Sequence, residues 1–245
     1  MNESNALARS FTVSSLLRFA LPNIIMMVFL SLYTIVDGMF ISRFVGTLAL
    51  SAINMSYPLN CLQMAMGIML ATGGSAIIAR QLGEGRAETA RENFTAIITV
   101  SAAIGAVGFL VLCNLFLTPL LHLLGTSSAQ WQDALIYTRI QLLFAPAMFL
   151  QTAFQSLFVT AGRPGLGLAT TVAGGLSNVV LDWLFMGPLH MGVAGAAIAT
   201  GIGYLFPAVF GLVYFTVNRS CALYFVPFRL RGRVLLSACA NGSSE

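Results

Sequence analysis

Long apolar stretches separated by short polar joints run through nearly the whole chain of 245 residues. A helix needs about 20 apolar residues to cross the hydrocarbon of a bilayer, where the backbone must satisfy its own hydrogen bonds. Six stretches reach that length, at residues 19–41, 51–79, 95–117, 135–160, 166–187 and 192–217. The pattern therefore predicts an all-α, polytopic membrane protein with six transmembrane helices.

The predicted spans divide the chain into three parts. Residues 1–18 are expected to form a cytoplasmic amino-terminal tail and residues 19–217 a six-helix transmembrane lobe. Residues 218–245 are expected to form a cytoplasmic basic linker that leads into the start of a seventh helix. Because this apparent helix has barely begun where the sequence stops, a truncated chain fits better than a natural carboxyl terminus.

Two features refine the predicted spans. Pro58 predicts a tilt or kink in the second span, which is longer than a perpendicular helix needs. The joint at residues 80–93 alternates acids and arginines, with Glu88 and Arg91 at helical spacing. This joint is predicted to be either a short amphipathic helix on the inner surface or a solvated connector.

Composition supports lipid as the surrounding solvent. Hydrophobic residues make up 58% of the sequence and charged residues 8%, whereas soluble domains carry about 25% charged residues. The 12 basic residues outnumber the 8 acidic ones, but they are scattered at the ends of apolar stretches, so no nucleic-acid partner is expected. The four cysteines lack metal or redox spacing and are interpreted as small apolar residues. No cofactor is expected.

The positions of the arginines predict the orientation of the spans. Short loops rich in Lys and Arg stay in the cytoplasm. Only Arg43 and Arg139 fall on the outer side of the predicted arrangement. The arginines on the inner side are Arg9, Arg18, Arg80, Arg86, Arg91, Arg163, Arg219, Arg229, Arg231 and Arg233. The chain is therefore predicted to be a multi-pass protein of the plasma (inner) membrane with both termini in the cytoplasm.

Two acidic residues lie inside the predicted spans, Asp37 in the first and Asp182 in the fifth. An ionisable group at this depth costs from about 2.5 kcal/mol upward, so such residues face a bundle interior or an aqueous cavity. A rise of about 1.5 Å per residue places them roughly 27 and 24 Å from the cytoplasmic ends of their spans. The two spans run in the same direction, so the carboxylates are expected at nearly one level.

Two polar residues are expected beside these acids. Asn178 lies one turn before Asp182 on the same helical face, and Thr200 lies at a compatible level on the sixth span. Two carboxylates without a basic partner cannot both stay ionised at close range unless a cation joins them. A site that binds a proton or cation is therefore predicted, with a purely structural carboxylate pair as the alternative.

Other polar residues in the spans have two interpretations. Gln151 and Gln155 lie four residues apart on the fourth span, and Asn54 and Tyr57 lie near the proline of the second span. These side chains either form hydrogen bonds between helices or line a transport pathway. Pro22 weakens the hydrogen-bond ladder of the first span and is a candidate for bending it.

Six short sequence segments, spread over nearly the whole chain, are each weak as motifs but form a specific pattern when taken together. RFALPNI opens the first span, VDGMFISRFVG closes it, and ARQLGEGRAETAREN forms the first inner loop. QSLFVTAGRPGLGL joins spans four and five, SNVVLDWLFM lies in span five, and GVAGAAIATGIG opens span six. In this combination the chain resembles the multidrug and toxic compound extrusion (MATE) transporters.

The resemblance implies one lobe of a larger fold. MATE transporters have twelve spans in two six-helix lobes, and this chain resembles the first lobe and the link to the second. A second six-helix lobe is therefore expected as a partner, either as a missing carboxyl-terminal half or as a homodimer mate. The chain alone is not expected to complete alternating access, in which one bundle moves against another.

The resemblance also implies roles for individual residues. The first-lobe cation site of similar members uses an aspartate on helix one and an Asn-x-x-x-Asp pair on helix five, which correspond here to Asp37, Asn178 and Asp182. A Na⁺ ion or a proton would bind there. Tyr137 and Thr200 match nearby family positions, as does Pro22 for the bending helix, whereas Gln155 stands where some members have asparagine.

The expected function is that of a cation-coupled antiporter, driven by H⁺ or Na⁺, that exports amphipathic or cationic organic compounds. An enzyme is not expected. One alternative is a related flippase for lipid-linked saccharides, although no arginine cluster lies within the spans. The other is an intramembrane aspartyl protease, but Val36 precedes Asp37 where that class has tyrosine, and VVLDW surrounds Asp182 in place of Gly-x-Gly-Asp.

Cysteine labelling tests the predicted topology. In a background without the native cysteines, an impermeant thiol reagent added to sealed cells should label Ser128→Cys, because residues 125–133 are predicted to lie outside. It should not label Gly85→Cys until the cells are opened. Labelling of Gly85→Cys in sealed cells would overturn the orientation.

Overall fold

The computed structural model describes residues 13–228 and 232–243, and this part of the chain is almost entirely helical. Its helical segments are α1 (Val13–Phe44), α2 (Thr47–Met55), α3 (Tyr57–Gly83), α4 (Ala87–Ala103) with a π-helical continuation (Ile104–Cys113), α5 (Leu117–Leu123), α6 (Trp131–Leu143), α7 (Ala145–Thr160), α8 (Pro164–Met186), α9 (Gly192–Val217) and α10 (Gly232–Gly242). Within the described residues, five helices are long and apolar enough to cross a membrane, and the bent pair α6–α7 supplies a sixth span. The predicted all-α, six-span architecture is confirmed.

The last two spans agree closely with their predicted limits. α9 covers the predicted residues 192–217, and α8 differs from the predicted 166–187 by one or two residues at each end. Pro164 lies in the first turn of α8, where its fixed φ favours a helix start and its missing N–H has no partner to lose. The apolar length of each stretch therefore sets the limits of these two spans, and the proline in the first turn also sets the start of α8.

The first span is longer than predicted. α1 begins at Val13, before the predicted start at residue 19, and continues to Phe44. Residues 13–18, which the sequence assigns to the amino-terminal tail, are therefore helical. Residues 1–12 lie outside the described residues.

The second span is interrupted beside Pro58, where the sequence predicts a tilt or kink, so residues 51–79 do not form one continuous helix. α2 and α3 meet at Ser56, and Pro58 lies in the first turn of α3. Proline cannot continue a helix but is favoured in the first turn of a new one. The hydroxyl group of Ser56 hydrogen-bonds to that of Thr138 in α6, which fixes the break against a neighbouring span.

The fourth span is broken in the same way, which corrects the prediction of one helix over residues 135–160. α6 and α7 meet at Phe144 and differ in direction by 54°. Pro146 lies in the first turn of α7. The ring of Phe144 occupies space beside Gly201 of α9, where any Cβ atom would collide with it.

The third span begins before the predicted residue 95. α3 and α4 are separated only by residues 84–86, and both Glu88 and Arg91 lie in the first turns of α4. The predicted joint at residues 80–93 is therefore mostly the ends of two long helices. Neither a separate surface helix nor an extended connector lies between α3 and α4.

α9 packs against α8, α6, α7 and α1, and its contact with α8 depends on glycine. A Cβ atom added to Gly174 of α8 would lie 2.6 Å from the carbonyl oxygen of Gly203 in α9 and 3.1 Å from Cγ of Pro207. The two backbones approach closely because these glycines carry no side chain. This approach brings Asn178, one turn after Gly174, against α9.

The segment after α9 folds back onto the start of α4. Nε of Arg91 donates to the carbonyl oxygen of Ala222 at 3.1 Å, and the guanidinium carbon lies 4.3 Å from the ring centre of Tyr224. The backbone N–H of Val226 donates to Oγ1 of Thr95 at 3.2 Å. α10 follows and packs against α3, so this segment is an integral part of the lobe.

α1 is held along one side only. It packs against α8, α2 and α9, while many of its apolar side chains remain between 45% and 66% exposed. These side chains are Leu21, Ile24, Ile25, Met27, Val28, Leu32, Ile35 and Met39. The other described helices therefore leave this apolar face uncovered.

The close approach of α8 and α9 predicts a large effect of one methyl group. Gly174→Ala should force the backbones apart and lower the free energy of unfolding by about 1–3 kcal/mol. Thermal unfolding of the chain purified in detergent measures this effect. Gly165→Ala on the same helix is the matched control, because a Cβ atom there meets nothing within 4 Å. Equal unfolding midpoints for Gly174→Ala and wild type would contradict the packing described.

Candidate functional site

Asp37 of α1 and Asp182 of α8 meet inside the lobe. Their carboxyl groups lie within hydrogen-bonding reach of each other, which is the arrangement expected from their matched depths. Asp182 is fully buried and Asp37 is partly buried. Neither carboxyl group forms an ion pair with a basic side chain within residues 13–228 and 232–243.

Most oxygen atoms of this pair lack a hydrogen-bond donor. Oδ1 of Asp37 and both carboxyl oxygens of Asp182 are buried, and the described part of the chain offers them none. An unpaired buried acceptor costs about 1–3 kcal/mol, and more when it is charged. Two carboxylates at this distance also repel each other unless a proton or cation lies between them. The arrangement therefore suits a bound proton or monovalent cation.

Asn178 and Thr200 supply further oxygen atoms beside the pair. Asn178 is 2% exposed, and its Nδ2 donates to Oγ1 of Thr200 at 3.4 Å. Its side chain lies close to Asp182, while its Oδ1 has no donor among the described residues. Carboxylate, amide and hydroxyl oxygens are the ligands that hard cations prefer. A Na⁺ ion or a proton therefore fits the chemistry of these donors.

Three tyrosines surround the carboxyl pair. Tyr137 of α6 is 5% exposed and lies close to both aspartates. Tyr33 of α1 and Tyr204 of α9 lie within hydrogen-bonding reach of each other and close to Asp37. Their hydroxyl groups can donate to a carboxylate or accept from a protonated carboxyl group. Proton movement at the pair can therefore be accompanied by hydroxyl reorientation.

Two cavities lie beside the site. The larger, of about 340 Å³, is bounded by α1, α2, α3, α6, α7 and α9 and reaches Asp37. The smaller, of about 20 Å³, reaches Asn178 and has room for roughly one water molecule. Tyr33, Thr200 and Tyr204 line both cavities, so they form the wall between them. Asp182 lines neither of these two cavities.

The other predicted polar residues separate into three groups. Asn54 of α2 and Tyr57 of α3 line the large cavity. Gln151 of α7 lines the small cavity, and its Oε1 has no donor among the described residues. Gln155 lines neither cavity. Its Nε2 instead donates to Sδ of Met26 in α1 at 3.1 Å. Gln155 therefore forms a contact between helices and does not join the carboxyl pair.

Pro22 lies within α1, on the same helix as Asp37. Its side chain is outside the described residues, so its role in bending stays a prediction. The exposed face of α1 is compatible with such a bend.

Sequence reasoning missed several residues that line the large cavity. Tyr33 lies one turn before Asp37, Tyr204 one turn after Thr200, and Gln141 one turn after Tyr137. Helical spacing of four residues from the predicted positions would have identified all of these. Gln63, also in the cavity wall, follows no such spacing.

These helices and the buried carboxyl pair define one lobe of a polytopic membrane transporter fold. A sequence model of the MatE family matches residues 22–184. The chain belongs to this family of multidrug and toxic compound extrusion transporters, as the resemblance implied.

Curated relatives are similar to the chain over about half of their own length. The multidrug export protein MepA from Staphylococcus saprophyticus is 23% identical over 208 residues, which are 84% of this chain and 46% of that protein. MepA from Staphylococcus aureus is 24% identical over 211 residues, which are 86% of this chain and 46% of that protein. The chain therefore corresponds to one lobe of these longer proteins.

Solved structures agree with this fold. Two structures described as MATE in the straight and bent conformations match with TM-scores of 0.90 and 0.88, at 24% and 23% identity, over 99% of this chain and 54% of each of theirs. A transporter of the MOP superfamily from Pyrococcus furiosus, whose reversed binding-pocket polarity is said to suggest a different function, matches with a TM-score of 0.90 at 23% identity, over 99% of this chain and 54% of its own. These likenesses show that the chain has the fold of one part of those structures.

Proposed function

We propose that the chain is one lobe of an antiporter in which inward movement of H⁺ or Na⁺ drives export of amphipathic, often cationic, organic compounds. Membership of the MATE family supports transport, and the multidrug export proteins among the relatives support this class of cargo. A second six-helix lobe completes the transporter, since the relatives are about twice as long as the matched region. The plasma membrane is the proposed location.

The meeting of Asp37 and Asp182 without a basic partner carries this proposal. A buried carboxyl pair is costly unless a proton or cation accompanies it. Asp37, Asn178 and Asp182 bind the coupling ion, and Tyr137 and Thr200 complete the site. Because Asp37 also borders the large cavity, ion occupancy at the pair can affect what that cavity binds.

α1 is the element that couples ion binding to cargo release. Asp37 links it to α8, while its opposite face has few contacts. Ion binding removes the repulsion between the carboxylates and thereby favours one position of α1 over another. A cargo molecule that prefers the other position is released by linkage, because each ligand changes the affinity for the other by the same factor.

The lining of the large cavity favours cationic over anionic cargo. Among the described residues that line it, Asp37 carries the acidic group and none is basic. Met64 and Met148 supply flexible apolar surface that suits varied molecules. A flippase for lipid-linked saccharides must accommodate a phosphate-bearing cargo, and this cavity offers it no positive charge. Export of organic cations is therefore the better interpretation.

Neutralising either carboxylate tests the coupling. In a chain that carries both lobes, Asp37→Asn and Asp182→Asn should each abolish ion-driven export of ethidium from everted membrane vesicles. The double variant should be no worse than either single variant, because the two residues act as one site.

Asp133→Asn is the matched control, since this acid lies in the first turn of α6 and lines neither cavity. It should export at the wild-type rate. Normal export by either Asp37→Asn or Asp182→Asn would contradict the mechanism while leaving the fold assignment intact.

A further inference from the structure

An open apolar groove, here called the α9 groove, runs along one face of α9. It has a volume of about 460 Å³ and is lined by Ile202, Leu205, Phe206, Val209, Phe210 and Val213. None of these residues lines the two cavities beside the ion site. From Ile202 to Val213 the groove extends about 17 Å along the helix axis, which is close to half of the roughly 30 Å hydrocarbon core of a bilayer. The groove therefore has about the length of one leaflet.

The apolar face continues to the carboxyl-terminal end of α9, where polar side chains begin. Val217, the last residue of α9, is 75% exposed. The ring of Phe210 stacks on that of Tyr214 with 6.1 Å between their centroids, and Tyr214 lies close to Arg163 and Asn218. Tyrosine is typical of the boundary between membrane and water, because its ring is apolar and its hydroxyl group is polar. The α9 groove therefore leads from apolar surface to charged groups.

Two arginines share the ring of Tyr224, just beyond the end of α9. The guanidinium carbon of Arg91 lies 4.3 Å from the ring centre, and that of Arg219 lies 6.0 Å from it. Both positive charges are therefore close to one ring. In the described part of the chain every ion pair involves Glu84, so these two arginines take part in none there. The arrangement brings two cations together without a carboxylate bound to either.

The arginine pair keeps donors and positive charge for an anionic ligand. Arg91 uses its Nε–H for a backbone carbonyl of the segment after α9, and an arginine side chain carries five N–H donors. Arg219 is exposed. α4 carries two acids near Arg91, which are Glu88 and Glu92, whereas residues 183–244 contain none. The positive charge of Arg219 is therefore offset by no acid of its own segment.

A phospholipid complements both the groove and the arginines. α10, the last described helix, packs against α3, and α7 contacts both α3 and α9, so α10 does not cover the α9 groove. A leaflet supplies acyl chains beside the groove and phosphate groups at its end. The sequence predicts this side of the membrane to be cytoplasmic, where anionic lipids collect and basic pockets bind their headgroups. A purely apolar protein surface would cover the groove but leave the arginines without an anion.

We propose that the α9 groove and the arginine pair bind one anionic phospholipid of the adjacent leaflet. An acyl chain lies along the groove, and the phosphate accepts hydrogen bonds from the guanidinium groups of Arg91 and Arg219. Because Arg91 belongs to α4 and Arg219 follows α9, the phosphate bridges α4 and the segment after α9. The lipid site is separate from the ion site and the large cavity, so it does not depend on the proposed transport mechanism.

Native mass spectrometry of the 245-residue chain tests this site. The chain is purified in detergent and mixed with equal amounts of a phosphatidylglycerol and a phosphatidylcholine that carry the same acyl chains. The wild-type chain should prefer phosphatidylglycerol more than tenfold, because each arginine at a membrane surface favours an anionic lipid about fivefold. Arg219→Gln should lower this preference about fivefold, and Arg219→Lys, which keeps the charge, should retain most of it.

Arg86→Gln is the matched control and should keep the wild-type preference. It removes the same charge at an exposed site, but Arg86 already pairs with Glu84. Glycerophosphoglycerol, the headgroup without acyl chains, should not displace the bound lipid. Equal binding of both lipids by the wild-type chain, an unchanged preference in Arg219→Gln, or displacement by the free headgroup would overturn the proposal. A dimer without bound lipid in the same spectrum would also overturn it, by assigning this face to a second copy of the chain.

Discussion

Two carboxyl groups buried at membrane depth need a polar environment, and this need explains much of the surrounding structure. Asp37 and Asp182 come together without a basic side chain among the described residues, so hydroxyl and amide groups must supply the polar environment. Thr200 and Asn178 meet beside the pair because glycines let α8 and α9 approach closely.

Much of the fold could be predicted because lipid restricts what a chain can do. Each backbone group in the hydrocarbon must be paired, so apolar length alone identifies the spans. α9 agrees with its predicted limits for this reason. The proximity of Asp37 and Asp182 followed from counting residues along two spans of the same direction. Their proposed role as a cation site rests instead on the chemistry of two close carboxyl groups without a basic partner among the described residues.

The breaks within spans were harder to predict because hydropathy continues through them. Residues on both sides of Ser56 and Phe144 are apolar, and the prolines that start the next helices also occur in helices that merely bend. Tertiary contacts decide between these outcomes, including the space that Gly201 leaves for the Phe144 ring. Gln63 was missed for a similar reason. A buried glutamine in a span usually bonds to another helix, and only the structure shows this one in the wall of a cavity.

The bend at Phe144 places the two halves of one span beside different cavities. Before it, Tyr137 and Gln141 border the large cavity, and beyond the first turns of α7, Gln151 borders the small one beside Asn178. Substitutions on α6 can therefore alter the shape and polarity of the large chamber while the oxygen atoms on α8 and α9 keep their positions. A lobe built in this way can change its large cavity during evolution without rebuilding the contact between Asn178 and Thr200.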